Sequence, residues 1–419
     1  MKFLFFAAML FSFSLSVLGQ WEIVEQSDDC IYHSVYFIND SVGFVTGSCN
    51  QIDVVLKTSD FGNNWYQVHS EEINYFYDIY FPTDTIGYIS AYTNVLKTID
   101  GGETWFYPNS AFEGYPYRSI VFQNEEIGFG CFADGGAAFA TTTDGGYTWI
   151  EDYTYGGREL LKLNDCQIRM ISGNYRKSDN CWSEHETLFA DVGNRTISNF
   201  AMNSYDSIVV CGIGLNDETL QNFGFVATST NEGLSWSVYD FEFTNSLNSV
   251  VYVNPSTAFC VGQGNYPQPY SFLKSIDGGT TWLYQIYDFP CGTCFSPEVR
   301  DVYCPSENVC YAVSGGGTIW RTLNGGGEIF PLPVGVVESK AKVKLELFPN
   351  PSTGELNIVS NDNIESIQLF NSLGQVVLLS SCSLVANSHK LSVSSLECGI
   401  YYLIIQTVKG TSIQSFVKE

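Results

Sequence analysis

Ile99-Asp100-Gly101-Gly102-Glu103-Thr104-Trp105 is the stretch that decides the fold, because the chain returns to it again and again. Four further complete copies read Ser59-Asp60-Phe61-Gly62-Asn63-Asn64-Trp65, Thr143-Asp144-Gly145-Gly146-Tyr147-Thr148-Trp149, Thr230-Asn231-Glu232-Gly233-Leu234-Ser235-Trp236 and Ile276-Asp277-Gly278-Gly279-Thr280-Thr281-Trp282. A decayed copy, Asp191-Val192-Gly193-Asn194, fills the double gap between the third and fifth, and Asn324-Gly325-Gly326 is a seventh. Both have lost the Trp. The mean interval is about 44 residues, a period that marks an array of like units.

A second signal lies upstream of each turn: an apolar strand, a polar turn and another apolar strand, as in Val35 to Val45, Ile79 to Ser90, Ile120 to Phe132 and Val250 to Val261. Val302 to Val313 and Phe200 to Val210 follow the plan, and Leu161 to Ser172 is a weaker member. A strand pair, a third strand entering the Asp-Gly turn and a fourth opening at Trp make four antiparallel strands per interval, which is a propeller blade. The turn chemistry accounts for the residues: the Asp carboxylate accepts bonds from the turn's own NH groups, Gly takes left-handed dihedrals, and Trp covers the hairpin. These positions are therefore expected to be structural. The fold class expected is all-β, a seven-bladed propeller followed by a small sandwich.

The copies resemble the Asp-box, or bacterial neuraminidase repeat, of sialidases, sortilin-type receptors, some glycoside hydrolases and photosystem II assembly factor-like propellers. With its upstream strand pairs, the segment Trp21 to Pro333 most resembles the last group. Trp21-Glu22-Ile23-Val24-Glu25 is similar to the strand after each turn, so it is expected to complete the seventh blade and seal the open edges. Cys304 and Cys310 flank one hairpin turn and Cys30 and Cys49 flank another further out, so both pairs are expected as disulfides. Cys291-Gly292-Thr293-Cys294 reads as a loop staple rather than a redox centre.

Bulk properties bound the rest. Met1 to Gly19 carries one Lys and an apolar run ending in small residues, as a removable signal peptide does. No other stretch is apolar enough to span a bilayer, so no transmembrane segment is expected in the mature chain. Thirteen Cys suit the oxidising compartment that such a leader implies, and their odd number leaves at least one unpaired. The net charge of −26 falls almost entirely before Ala341, and a surface of that sign excludes nucleic acid and acidic membranes as partners.

Residues 20–333 thus form the expected propeller, 334–344 a linker and 345–419 a second unit of short alternating strands. That unit, with Phe348-Pro349-Asn350-Pro351, Ser372-Leu373-Gly374-Gln375 and Gly399-Ile400-Tyr401, resembles the type A C-terminal sorting domain of the type IX secretion system. The resemblance implies Gram-negative export, with the secretion machinery as a partner and release or attachment at the outer surface.

Motifs for chemistry are sparse. Sialidases clamp their substrate with three Arg, and this chain has seven Arg in all without that family's Arg-Ile-Pro segment. The four His are scattered, no metal-ligand spacing occurs, and no cofactor is expected. Topology is a better guide. In a four-stranded meander the Asp-Gly turns occupy one end, leaving longer aromatic loops at the other. Residues just before the innermost strands, His33, Tyr77, Arg118 and Arg300, are expected to ring the channel mouth, surrounded by Tyr115, Trp182, Tyr266 and Tyr270. Aromatic platforms with a few polar groups suit a glycan or a protein segment. At the turn end, Asp40-Ser41-Val42, Asp84-Thr85-Ile86 and Asp206-Ser207-Ile208 resemble the Asp-Ser/Thr-apolar acceptor of bacterial O-glycosylation, although turn preference alone produces the same triplets. The sequence thus points to an exported binding or adhesion protein, with an extracellular glycoside hydrolase and an extracytoplasmic assembly factor as alternatives.

Overall fold

The computed structural model of the 419-residue chain describes residues 21–326 and 345–418, apart from short internal stretches of which the longest are 109–116, 133–137, 179–185, 265–269, 286–297 and 382–386. Across 162–190 only the backbone of the strands is described. The expected leader (1–19) and linker (334–344), and Cys291 and Cys294, lie outside the described residues. Every described element is a β-strand.

Seven antiparallel sheets are described between Glu22 and Thr322. In chain order the first six span Cys30 to Glu72, Phe76 to Thr98, Tyr117 to Asp152, Glu159 to Leu188, Arg195 to Phe241 and Thr244 to Tyr284. The seventh joins Val299–Tyr303, Cys310–Ser314 and Thr318–Thr322 to the N-terminal strand Glu22–Gln26. The second sheet has three strands, with a lone bridge between Lys97 and Phe106 where a fourth would begin. First strands of successive sheets are neighbours, and Val299–Tyr303 of the seventh lies against Cys30–Phe37 of the first. The array is a closed β-propeller with the first strands innermost.

Closure uses the chain's start, as expected from Trp21. Glu22 pairs with Arg321 and Gln26 with Thr318. Trp21, 2% exposed, meets Phe259 edge-on at 6.1 Å and 86°, much as Trp105 meets Phe44 at 6.4 Å and 84°. It therefore stands where the seventh turn lacks its Trp, and its indole NH donates to Gln285 Oε1 at 2.7 Å.

The core lies between sheets rather than in one central mass. One aromatic triplet recurs: Tyr311 of the seventh sheet stacks on Phe37 at 3.7 Å with Trp65 edge-on at 6.0 Å. Phe44, Phe81 and Trp105 repeat it one sheet on, and Tyr88, Phe122 and Trp149 repeat it again. Offset and edge-to-face contacts of this kind add about 0.5–1.5 kcal/mol per pair beyond burial. Such packing explains the second glycine of the turn. Gly102 has φ +78, and a Cβ there would sit 2.4 Å from the Phe44 ring.

The disulfides Cys30–Cys49 and Cys304–Cys310 are both present, each closing a hairpin as expected. Among the described residues Cys131, Cys211 and Cys260 are buried thiols and Cys398 an exposed one. In the C-terminal unit, a three-stranded sheet (Leu345–Phe348, Glu355–Ser360, Ser388–Ser392) and a four-stranded sheet (Ile364–Asn371, Val376–Ser381, Gly399–Thr407, Gly410–Lys418) share a core of Leu356, Ile358, Ile367, Leu369, Leu403 and Phe416.

Candidate functional site

The two ends of the ring are built differently. At the Asp-Gly end one hydrogen-bond plan is copied from sheet to sheet. Thr98 Oγ1 donates to Asp100 Oδ1 at 2.7 Å and accepts from Gly102 NH at 2.9 Å, while Asp100 accepts the NH and hydroxyl of Thr104. Thr142, Asp144, Gly146 and Thr148 do the same, as do Ser275, Asp277, Gly279 and Thr281. Asp60 takes the backbone and side-chain amides of Asn64, and Asn231 holds Ser235 and Ser229, with Gly233 NH on Ser229. Partial burial pushes the Asp100 carboxyl up, but the donors of Thr104 and Thr98 outweigh it and hold the group at about 2. A carboxylate so engaged is a staple for its loop and is not available as an acid or base.

Each turn is also tied to its surroundings. Phe61 NH donates to Ser41 O, Gly101 NH to Thr85 O and Gly278 NH to Ser256 O, so the first-hairpin turns and the Asp-Gly turns share one end. Thr85 is exposed there, and Ser41 and Ser207 are half-buried. A basic side chain reaches across to the next sheet's turn: Lys57 Nζ to Gly101 O at 2.8 Å, Lys97 Nζ to Gly145 O at 2.8 Å, Lys274 Nζ to Gly325 O at 2.6 Å and Arg321 to Phe61 O.

Toward the other end of the innermost strands, six of the seven described sheets carry a β-bulge at one equivalent position. The bulged residues are His33, Tyr77, Arg118, Ser198, Asn248 and Arg300. A bulge leaves one residue out of the ladder and re-aims its side chain. This corrects the sequence reading in one respect, since His33, Tyr77, Arg118 and Arg300 lie inside their strands rather than before them. Ser198 and Asn248 share the position and carried no sequence signal.

The structure brings the four expected residues together. Arg300 Nη1 lies 2.7 Å from His33 Nδ1 and its Nε 3.0 Å from Glu298 Oε1, while the Arg118 guanidinium sits 4.3 Å over the Tyr77 ring. Burial, then Arg300, then Arg118 push His33 down to about 3, so its imidazole is neutral and accepts from Arg300 through Nδ1. Tyr115, Trp182 and Tyr266 lie outside the described residues, as does the Tyr270 side chain.

The residue after each bulge faces the axis and fastens one sheet to the next. Asp301 accepts Val35 NH and Ser34 Oγ from the first sheet, and Ser249 Oγ from the sixth. Asp78 accepts Ile120 NH at 3.0 Å, Ser119 accepts Leu160 NH at 3.2 Å, Asn199 accepts Val250 NH at 3.3 Å and Ser249 accepts Val302 NH at 3.4 Å. Asp78, Glu159 and Asp301 are enveloped by protein yet keep some solvent access, as the lining of a narrow channel does. Burial raises all three; Asp78 reaches about 7, with Ile120 NH pulling it back and Asp301 pushing it further. Nearer the turn end Tyr36 packs against Tyr303 at 4.8 Å and Tyr80 at 5.9 Å, bringing together phenol rings of three neighbouring sheets.

Residues 346–419 match the family described as Secretion system C-terminal sorting domain. No curated protein matches the chain in sequence. Among solved structures it is similar to YCF48 bound to D1 peptide, at 17% identity over 73% of this chain and 97% of that one, TM-score 0.57. YCF48 from Cyanidioschyzon merolae follows at 13% identity, 72% and 98% coverage and TM-score 0.54. The Neurospora crassa Pan2 WD40 domain stands at 12%, 73% and 96%, and 0.51. At these identities the likeness shows the fold alone. The chain is thus a β-propeller carrying a secretion-system sorting tail, and the tail marks it as a type IX cargo that is secreted or displayed at the cell surface.

Proposed function

We propose that this exported propeller, read as seven blades with one per described sheet, is an extracellular binding protein that takes a protein or glycan partner at its bulged end. The observation that carries the reading is the set of six equivalent bulges with unlike side chains. Backbone geometry is repeated there while chemistry is not, which is what a recognition surface on a symmetric scaffold requires. Arg118, Arg300 and Tyr77 supply planar donors and an aromatic face on a chain of net charge −26. A propeller of similar fold, YCF48, has been seen with a D1 peptide, which supports a peptide segment as one kind of partner.

Glycoside hydrolysis is less well supported. Two carboxyl groups would have to flank a sugar and keep their oxygens free for it. Asp78 and Asp301 instead bind backbone NH groups of neighbouring sheets.

The test is cross-linking and capture with the secreted protein from spent medium and from the cell surface, comparing the wild type with an Arg118→Ala/Arg300→Ala double variant. The reading expects a partner retained by the wild type and lost by the variant, with both equally folded. Identical partners captured by both proteins would overturn it.

A further inference from the structure

We propose that Tyr75 and Tyr92 form a ledge for one ring of a neutral, hydroxyl-rich glycan. The ledge sits at the bulged end of the second sheet: Tyr75 immediately precedes the innermost strand Phe76–Tyr80, and Tyr92 immediately follows Gly87–Ala91, paired to it through Phe76 and Ala91. The two rings are 50% and 49% exposed, with centroids 6.1 Å apart and planes at 67°, so they form two walls of an open corner. Aromatic surface left in water on a rigid element marks an interaction site when the scaffold works to keep it there.

Here the scaffold does so. Tyr75 has φ +43, a left-handed conformation that bulky residues resist and that persists only where surrounding bonds enforce it. The buried Asp53 carboxylate accepts both Asn74 NH and Tyr75 NH, the latter at 2.7 Å. Asn74 O in turn accepts Tyr92 NH at 2.7 Å, so one residue sets both rings. Asn74 Nδ2 donates to Glu71 Oε1 at 2.9 Å and Tyr107 Oη at 2.7 Å, and Tyr107 donates to Glu71. The bonds hold the strained turn and leave the rings outside.

Charge selects the ligand. The exposed carboxylate of Glu72 lies on one flank in sequence, and Tyr77 under the Arg118 guanidinium lies on the other. The carboxylates that hold the turn, Asp53 and Glu71, are engaged by Asn74, Tyr75 and Tyr107, so the corner itself offers ring faces and phenol hydroxyls, which fits hydroxyls that both give and take hydrogen bonds around an apolar ring face.

This inference rests on the bulged end being the binding face but uses residues outside the His33 and Arg300 cluster. Affinity electrophoresis of the full secreted protein through gels cast with soluble β-glucan, xylan, mannan or galactan tests it. At least one polymer should retard the wild type and the Tyr75→Phe and Tyr92→Phe variants, unchanged in 0.5 M salt. Tyr92→Ala should weaken retardation about tenfold, the loss of one well-packed aromatic contact. No retardation by any polymer, retardation abolished by salt, or an unaffected Tyr92→Ala would each overturn the ledge. The partner captured through Arg118 and Arg300 would be untouched by those results.

Discussion

At the Asp-Gly end, Thr98, Thr142 and Ser275 do one job in three sheets, whereas at the bulged end His33, Tyr77, Arg118 and Arg300 put three chemistries at one position. The first end repeats because every sheet faces the same problem there: a tight turn whose NH groups need acceptors and whose glycine must admit a neighbour's ring. The second end diverges because the inter-sheet bonds are already made one residue further on, by Asp78, Ser119, Asn199, Ser249 and Asp301. The bulged side chains can then differ from sheet to sheet, and they touch in unlike ways: Arg300 on His33, Arg118 on Tyr77 and Asn248 Nδ2 on Val299 O.

That contrast can be broken by substitution. Trp105→Ala should lower unfolding free energy by about 3–5 kcal/mol, the usual loss for a buried Trp, and Trp21→Ala should match it because both fill the same place in their sheets. Urea titrations check this, and a neutral Trp21→Ala would mean that the N-terminal strand is not the fastening. A smaller effect is expected from pH. Asp78 is raised from 3.8 to about 7 in the folded chain, so its contribution is fully present below pH 4 and is lost as pH climbs toward 7. His33 works the other way, lowered from 6.5 to about 3, with stability present above pH 6.5 and lost as pH falls toward 3. Asp78→Asn should therefore lessen the decline between pH 4 and 7, to which Glu159 and Asp301 also contribute, and His33→Gln the acid-side decline; melting profiles unchanged by either would contradict the burial of these groups.

Thr98→Val strips one buried hydroxyl from a turn and should cost about 1–2 kcal/mol with binding intact. Least of all in stability, Arg118→Ala and Arg300→Ala should each stay within about 1 kcal/mol of wild type while partner capture falls. A large drop in melting temperature for these two would erase the distinction between the ends.

The fold was legible because Asp, Gly and Trp each answer a local demand of the turn, and a demand met every 44 or so residues leaves a visible period. The hydroxyl two residues before each Asp or Asn, on Thr58, Thr98, Thr142, Ser229 and Ser275, lies just upstream of the repeated stretches, and its duty shows only when the strand folds back over the turn. Lys57, Lys97 and Lys274 were less accessible still, because each answers a carbonyl in the following repeat. Arg300 and His33 could be placed at the mouth by topology alone. Their direct contact could not, since it crosses the ring's closing seam. The bulges leave no mark in composition, so nothing in the sequence singles out Asn248 or Ser198.

Fastening the first strand to the last has a consequence in time. Glu22 must wait for Arg321, so the bracelet has no clasp until nearly the whole ring has been made, and such distant pairing is slow to form. The sorting tail begins at Leu345, only a short way beyond Thr322. The label that commits the protein to export is thus translated just after the strand that lets the ring shut.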